Sequence, residues 1–162
     1  MSRLDSFIRR LKAQRACLDA ATELIAGVDG VVFELGLGNG RTYDHLRENL
    51  PDREIYVFER QPAAHRDSMP PPHRLLLGDM RVTLAAARAR FEDRVALAHF
   101  DAGSGEPAAN RKLADTVLPL LVPLLRTDAV LVSDPEFDMP GLTALPLPAG
   151  VPPGRYHMYR RR

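Results

Sequence analysis

The sequence is poor in the residues that mark several classes of protein. Cys17 is its only cysteine, so neither an intramolecular disulfide nor a cysteine-ligated zinc site can form. A formal net charge of +1 argues against the strongly basic surface of a dedicated nucleic-acid binder. No apolar run approaches the roughly 20 residues of a membrane span, and charges within the first twelve residues exclude a signal-peptide core. We therefore expect a cytoplasmic protein without nucleic-acid or membrane partners.

What the sequence does contain is a regular alternation of apolar segments. Its 162 residues, 45% of them hydrophobic, suffice for one core of ordinary size, so we expect a single domain over residues 1–162. Within it the pattern predicts an N-terminal helix (1–27), a parallel α/β core (28–135) and an edge hairpin (140–162). We find no internal repeat and no linker long enough to divide domains.

The N-terminal segment has the three- and four-residue apolar spacing of a helix, which Gly27 is expected to end as a C-cap. The apolar positions are Leu4, Phe7, Ile8, Leu11, Leu18, Ala21, Leu24 and Ile25. Beyond it, runs of strand length alternate with helical patterns. The predicted strands are 30–36, 54–59, 74–77, 94–101 and 129–133. The predicted helices are 41–50, 82–91 and 109–125, and the stretch 62–72 is predicted as a helix of poor quality followed by a rigid Pro70-Pro71-Pro72 turn.

This alternation predicts an α/β fold in which helices cover both faces of a mostly parallel sheet, a three-layer Rossmann-like arrangement. The first strand has no polar alternation, as expected for a strand that is buried on both faces. Two strand-like runs near the end, 142–147 and 155–159, flank a segment rich in proline and glycine. They are expected to close the sheet as an antiparallel C-terminal hairpin at one edge, where Pro146 is tolerable.

The loop after the first strand, residues 34–40, is the most informative feature. Gly36, Gly38 and Gly40 stand between a buried strand and an amphipathic helix, where glycine lets the backbone approach a ligand. A dinucleotide fingerprint would need its third glycine one position later, at Arg41. Glu34 would also repel a pyrophosphate, whereas S-adenosyl-methionine carries a sulfonium and an ammonium group that a carboxylate favours. The alternative that this loop alone leaves open is a glycine turn without a ligand.

Two carboxylates follow at the ends of the next strands. Glu59 lies nineteen positions after Gly40, and an acid about that far beyond such a loop accepts hydrogen bonds from ribose hydroxyls. Asp79 ends the third strand, where it can accept a hydrogen bond from an adenine amino group while Met80 packs on the base. The carboxyl ends of parallel strands share one sheet edge, so these groups are expected to converge. The alternatives are a simple Glu59–Arg60 ion pair and an ordinary Gly-Asp turn.

Residues 33–40, Glu59, 78–79 and 100–102 together resemble the motif series of class I S-adenosyl-methionine methyltransferases. The terminal hairpin is similar to the antiparallel pair that closes the seven-stranded sheet of that family, and the short length resembles its small bacterial members. The resemblance implies that Glu34 and the glycine loop lie near the methionine moiety, Glu59 at the ribose and Asp79 at the adenine.

The start of the following helix adds candidates for the cofactor's carboxylate. Arg41, Thr42 and Tyr43 stand at its N-terminus, where the helix dipole favours an anion. For Tyr43, packing on the helix face is an equally good interpretation. The full set of predicted cofactor-binding residues is Glu34, Gly36, Leu37, Gly38, Asn39, Gly40, Arg41, Thr42, Tyr43, Glu59, Arg60, Asp79, Met80 and Asp101.

Asp101, after the fourth strand, is the candidate catalytic residue. It is placed to act as a general base on the methyl acceptor, and a structural or cofactor-contacting role suits it equally well. His99 shares its face of the strand and is interpreted as a core histidine with satisfied hydrogen bonds. Metal-dependent O-methyltransferases use an acid after the fourth strand and an Asp-Asn pair after the fifth. Asp101 and Asp134 could supply two oxygen ligands to a cation in the same way, but Pro135 stands where the amide of that pair is expected. We predict no metal site.

The hypothesis favoured by the sequence is a methyltransferase that acts on a small molecule, because no second domain or basic face is present to hold a macromolecule. Residues 101–104 also lack the Asn/Asp-Pro-Pro-aromatic motif of the related adenine and glutamine methyltransferases. The alternatives are a non-catalytic S-adenosyl-methionine or S-adenosyl-homocysteine binding module and an NAD-binding protein, which Glu34 and Arg41 disfavour. The N-terminal helix is expected to be a packing layer, with a cofactor cover or a homo-oligomer interface as alternatives.

Overall fold

The computed structural model describes residues 2–103 and 106–162, and in them a seven-stranded sheet has the order β3-β2-β1-β4-β5-β7-β6. Helices cover both of its faces. The strands are β1 (Val31–Leu35), β2 (Ile55–Glu59), β3 (Leu75–Leu77), β4 (Val95–Phe100), β5 (Leu125–Ser133), β6 (Leu142–Ala144) and β7 (His157–Arg161). The helices are α1 (Arg3–Leu24), α2 (Arg41–Asn49), α3 (Met80–Phe91) and α4 (Pro107–Leu121).

Strands β1 to β5 pair in parallel, whereas β7 runs antiparallel to both β5 and β6. The predicted mostly parallel sheet with an antiparallel hairpin at one edge is therefore confirmed. Pro146 falls beyond β6, so it removes no hydrogen bond from the ladder. Because β1 lies between β2 and β4, the order of the strands along the sheet reverses at β1. Open α/β sheets bind ligands at such a point, outside the carboxyl ends of the strands.

Two apolar clusters, one on each face of the sheet, make the three layers. Side chains of α1 and α2, among them Cys17 and Leu46, pack on one face, and burial raises the pKa of the Cys17 thiol to about 11. Aromatic rings dominate the other face, where Phe33 lies 4.7 Å from Phe58 between ring centroids, beneath α3 and α4. None of the helices in the described ranges combines the length and the hydropathy that a membrane crossing needs.

The N-terminal helix differs from its prediction in two ways. It ends at Leu24 with Ile25 as its C-cap, and Gly27, which has no positive φ angle, is not the cap. The Arg53 guanidinium donates to the carbonyls of Ile25, Val28 and Gly30 just beyond the helix end. The expected apolar row is also only partly buried. Leu18, Ala21 and Ile25 are in the core, whereas Leu4, Phe7, Ile8 and Leu24 are 39 to 66% exposed.

The poor helix expected within 62–72, ahead of the Pro70-Pro71-Pro72 turn, is wrong. Two single 3₁₀ turns, Arg66–Ser68 and Pro72–Arg74, occupy this crossover instead. Prolines at 62, 70, 71 and 72 each remove a backbone donor, so a continuous α-helix cannot form there. A proline acts similarly at the end of α4, where Val122–Leu124 is a 3₁₀ turn and β5 begins earlier than expected.

Candidate active site

The glycine loop joins β1 to α2 at the carboxyl edge of the sheet. Gly36, Gly38 and Gly40 all have positive φ angles, of 99°, 52° and 84°. A Cβ on Gly36 would lie 2.9 Å from the carbonyl oxygen of Asp101, and one on Gly40 would lie 2.5 Å from the Cβ of Ser68. A Cβ on Gly38 would meet no protein atom within 4 Å. The outer glycines therefore allow close packing of the loop, whereas the middle one leaves open space above it.

Two cavities border this loop, and a third adjoins them at Asp101. The β2–β3 cavity, of about 390 Å³, is lined by Glu59, Asp79, Met80 and Leu113 together with the loop. The α1 cavity, of about 400 Å³, lies under the first half of α1, and its walls include Phe7, Arg10, Gln14, Asn39 and Arg41. The α4 cavity, of about 650 Å³, is lined by Arg10, Asn110, Arg111, Asp134 and Pro135.

The three cavities meet at one side chain. Gly36 and Gly38 line both the β2–β3 cavity and the α1 cavity. Asp101 lines these two and the α4 cavity as well, and its side chain is 20% exposed. The predicted loop and the predicted catalytic carboxylate thus lie on opposite sides of a single junction.

Glu59 braces the glycine loop from the end of β2. Its Oε2 accepts hydrogen bonds from the backbone N–H groups of Leu37 at 2.8 Å and Gly38 at 3.3 Å. Its Oε1 accepts from the backbone N–H groups of Arg60 and Gln61. These charge-assisted bonds fix the shape of the loop next to the β2–β3 cavity, which Glu59 and Arg60 both line.

Asp79 and Met80 form another wall of the β2–β3 cavity. Asp79 is the N-cap of α3 and accepts from the backbone and the guanidinium of Arg81. Hydrogen bonds from the Arg81 side chain hold the pKa of Asp79 below its usual range. Met80 is half-buried against the α3 face of the core, so it offers a flat apolar surface to the cavity.

Glu34 lies behind the junction and is fully buried. One carboxylate oxygen accepts from the Thr42 hydroxyl, and the other lies 2.8 Å from Nδ1 of His99. Burial opposes the charging of His99, but the adjacent Glu34 carboxylate outweighs it and raises the histidine pKa. The link from Glu34 to the α1 cavity is Thr42, which lines that cavity.

His99 begins a chain of hydrogen bonds that ends at Asp101. Its Nε2 lies 2.7 Å from the hydroxyl of Tyr156, confirming a core histidine with satisfied partners. The amide of Gln14 donates to that hydroxyl at 3.0 Å and to Oδ2 of Asp101 at 2.6 Å. Burial raises the pKa of Tyr156 well above its ordinary value. Asp101 is therefore connected to the buried Glu34 pair through neutral side chains.

Arg10 of α1 joins the carboxylates that follow β4 and β5. Its Nη2 donates to Oδ1 of Asp101 at 2.6 Å, and its Nε donates to Oδ1 of Asp134 at 3.1 Å. Partial burial opposes the charge on Arg10, but the two carboxylates outweigh it and raise the pKa of the guanidinium. Among the described residues, no group of three or more His, Cys, Asp or Glu side chains is arranged to hold a metal ion.

The remaining predicted residues divide between the cavities and the core. Leu37 and Arg41 line the α1 cavity, although the Leu37 side chain itself is buried. Tyr43 is buried in the cluster beneath α1, with the Arg47 guanidinium over its ring, and lines none of the three cavities defined above. Arg10, Gln14 and Tyr156 were missed, because nothing in their local sequence distinguishes them from ordinary helix and strand residues.

The strand order, the antiparallel β7 and the glycine loop define a Rossmann-like methyltransferase fold. The model of a family described as S-adenosyl-L-methionine methyltransferase matches residues 1–161, and the chain belongs to that family. The resemblance inferred from the motifs is thereby confirmed, and with it the enzyme class and S-adenosyl-methionine as the methyl donor.

Solved structures agree. The chain is similar to an S-adenosyl-L-methionine methyl transferase from Silicibacter pomeroyi DSS-3, with 48% identity, a TM-score of 0.95, and coverage of 100% of this chain and 99% of that one. Human methyltransferase-like protein 13, in complex with SAH, shares the fold at 16% identity, with a TM-score of 0.60 and coverage of 93% and 80%. No curated protein matches the chain.

Proposed function

We propose that this methyltransferase acts on a small-molecule acceptor bound in the α4 cavity. The methyl donor would span the other two, with its adenosine in the β2–β3 cavity and its amino-acid end in the α1 cavity. The observation that carries this proposal is the junction at Asp101. The sulfur joins the two halves of the donor, so a donor that spans both cavities has its sulfur between Gly36, Gly38 and Asp101, facing the acceptor.

The residues of the β2–β3 cavity fit an adenosine. Asp79 is a hydrogen-bond acceptor suited to an adenine amino group, and Met80 offers an apolar surface for the base. Glu59 would accept from the ribose hydroxyls in place of its longest bond, the 3.3 Å contact from the Gly38 N–H. The open space above Gly38 is where the backbone would approach the ligand, since a Cβ there meets no protein atom within 4 Å.

The α1 cavity fits the amino-acid end of the donor. Gly40 caps α2 without a side-chain hydrogen bond, so N–H groups of the first helical turn are free to receive a carboxylate. Arg41 and Thr42 stand at the same turn and line the cavity. Thr42 lines the cavity and the buried Glu34 does not. The Thr42 hydroxyl donates its proton to Glu34, so its oxygen lone pairs can accept a hydrogen bond from the donor's ammonium group.

When bound, S-adenosyl-methionine supplies a methyl group on a sulfonium. A lone pair of the acceptor forms the new bond to the methyl carbon, and the electron pair of the broken C–S bond stays on sulfur, which leaves S-adenosyl-homocysteine. An O–H or N–H acceptor also loses a proton. Asp101 is the carboxylate at the junction, and its remaining lone pairs can accept that proton. Arg10 and Gln14 hold its two oxygens in one orientation, so no reorganisation is needed when the acceptor arrives.

The size and lining of the α4 cavity favour a small polar acceptor. Its volume of about 650 Å³ lies within the range of small-molecule sites, and guanidinium, amide and carboxylate groups line it. From the composition of the chain we also propose a cytoplasmic location and no nucleic-acid partner. For Asp101→Ala we expect retained binding of S-adenosyl-homocysteine and lost turnover.

Substituting Gly38 tests the position of the donor, with Gly150 as a matched control. Both glycines have positive φ angles, and a Cβ at either meets no protein atom within 4 Å, so the backbone strain of a substitution is alike. Gly38→Leu would fill the space between the β2–β3 and α1 cavities. We expect isothermal titration calorimetry to show S-adenosyl-homocysteine binding to Gly150→Leu but not to Gly38→Leu. Equal binding by both variants would contradict the proposed position.

A further inference from the structure

A three-residue charge cluster lies at the junction of the cavities: Arg10, Asp101 and Asp134. We propose that this cluster distinguishes the methyl donor from its product, by presenting one net negative charge to the sulfonium that the product no longer has. The inference rests on the proposed function, because it requires the donor's sulfur to lie at the junction. It makes Arg10 a residue that sets the relative affinity for S-adenosyl-methionine and S-adenosyl-homocysteine.

The geometry of the cluster keeps all three groups together. The guanidinium of Arg10 contacts Asp101 at 2.6 Å and Asp134 at 3.1 Å through different nitrogens. The three side chains are 33%, 20% and 37% exposed, so water screens them only in part. Two carboxylates against one guanidinium leave a net charge of −1.

Other charged side chains contribute less at this point. Arg41 lines the α1 cavity and Arg111 lines the α4 cavity, and neither is shared between two of the three cavities. Glu34 is fully buried, bonded to Thr42 and to His99, whose raised pKa favours a charge that would offset the carboxylate. Glu59 lines the β2–β3 cavity but directs both carboxylate oxygens to backbone N–H groups. Asp101 is therefore the nearest carboxylate to the proposed sulfur position.

The reaction changes the charge of the ligand at this same position. The donor carries a positive sulfonium, whereas the product carries a neutral thioether and is otherwise the same molecule. A carboxylate several ångströms from a partly screened unit charge changes an affinity by about tenfold. The cluster thus favours the loading of the donor over the retention of the product, and Arg10 limits that preference by cancelling one of the two carboxylates.

The test is the ratio of the two dissociation constants, Kd for S-adenosyl-homocysteine over Kd for S-adenosyl-methionine, measured by calorimetry in the absence of acceptor. Asp101→Asn and Asp134→Asn each remove one negative charge. We expect the ratio to fall by about fivefold to tenfold in Asp101→Asn and by a smaller factor in Asp134→Asn, because Asp134 lines only the α4 cavity. Arg10→Met leaves both carboxylates uncompensated, and we expect the ratio to rise by a similar factor. Arg10→Lys keeps the charge and should restore the ratio of the native protein.

The chain offers a matched control at the other end of β5. Asp128 and Arg160 form an ion pair of 3.7 Å near the start of this strand, far from the carboxyl edge where Asp134 lies. Asn tolerates the positive φ of Asp128, so Asp128→Asn and Arg160→Met change the same charges without backbone strain. Neither should move the ratio. Since Asp134 is more exposed than Asp101, its variant keeps the test available if Asp101→Asn fails to fold.

Each outcome separates the two proposals. If the native protein binds both ligands and the ratio moves in opposite directions in Arg10→Met and in the two Asn variants, the inference stands. If both ligands bind and no cluster variant moves the ratio, the inference is overturned while the proposed function is kept. If Arg10→Lys behaves as Arg10→Met does, the guanidinium geometry matters and not its charge, which also overturns the inference. If the native protein binds neither ligand, the proposed function itself fails.

Discussion

The two sides of the site hold their carboxylates in different ways. On the side of the β2–β3 cavity, Asp79 is held by Arg81, two residues further on, and Glu59 is held by backbone N–H groups, two of them adjacent in sequence and two in the glycine loop 21 and 22 residues away. On the side of Asp101, the partners lie 87 and 91 residues away in sequence, on α1. Behind Asp101 the network is buried, whereas Glu59 and Asp79 are partly open to solvent.

This difference predicts which substitutions weaken ligand binding and which lower the stability of the fold. Asp79 can be changed without leaving a buried group unpaired, and Glu59→Ala unpairs the partly buried N–H of Leu37 and otherwise only exposed N–H groups, such as that of Gly38. The loss of either carboxylate should therefore weaken ligand binding more than it weakens the fold. Carboxylates in the buried network have partners that cannot turn to water, so their loss should destabilise the protein first.

The largest effect is expected for Glu34→Leu. It leaves the His99 ring and the Thr42 hydroxyl without their buried acceptor, which should lower the free energy of unfolding by about 3–5 kcal/mol. Urea denaturation followed by circular dichroism measures it. Glu54→Leu is the control, since Glu54 is exposed and should cost less than about 1 kcal/mol. Equal losses in the two variants would contradict a buried role for Glu34.

The next effect concerns Glu59, which is expected to control binding. Glu59→Ala removes the acceptor for the Leu37 and Gly38 N–H groups and for a ribose, so S-adenosyl-homocysteine should bind about 30-fold more weakly. Calorimetry gives the affinity, and thermal unfolding should show a smaller change than for Glu34→Leu. Glu59→Gln keeps one oxygen and should give an intermediate affinity. Unchanged binding in Glu59→Ala would remove Glu59 from the site.

A moderate effect is expected for Tyr156→Phe. The variant loses the hydroxyl between His99 and Gln14, which should lower the free energy of unfolding by about 1–2 kcal/mol. Tyr43→Phe is the matched control, because the Tyr43 hydroxyl makes no hydrogen bond to the described residues. If the two variants unfold alike, the hydroxyl of Tyr156 does not connect the network.

The smallest effect is expected for Asp79→Asn. An amide keeps the shape of the side chain but weakens its acceptor strength towards an adenine amino group, so S-adenosyl-homocysteine should bind about fivefold more weakly. Arg81→Ala provides the comparison, since it frees the carboxylate from its guanidinium and should not weaken binding. Weaker binding in Arg81→Ala alone would show that Arg81, and not Asp79, contacts the ligand.

The same contrast explains what the sequence could predict. The glycine loop, Glu59 and Asp79 follow strand ends at fixed spacing, and the alternation of apolar runs was enough to bring those ends to one sheet edge. The hairpin was predictable too, because its strand-like runs flank a segment too short and too rich in proline for a helix.

Long-range contacts and local breaks in regularity were not predictable in this way. Arg10 and Gln14 lie on a helix whose pattern reveals only an apolar row, and their partners are brought near by tertiary packing. Tyr156 precedes an edge hairpin and shows no sign that its hydroxyl reaches His99. The poor helix expected within 62–72 is reduced to one 3₁₀ turn, Arg66–Ser68, because prolines at 62 and 70 bound this short segment at both ends.

A crystal structure of the protein with S-adenosyl-homocysteine tests the central claim most directly, that the three cavities divide the donor and the acceptor at Asp101. We expect the adenine beside Met80, the ribose at Glu59, and the sulfur between Gly36 and Asp101 with its free side towards the α4 cavity. An adenine in the α4 cavity, or a sulfur remote from Asp101, would contradict it.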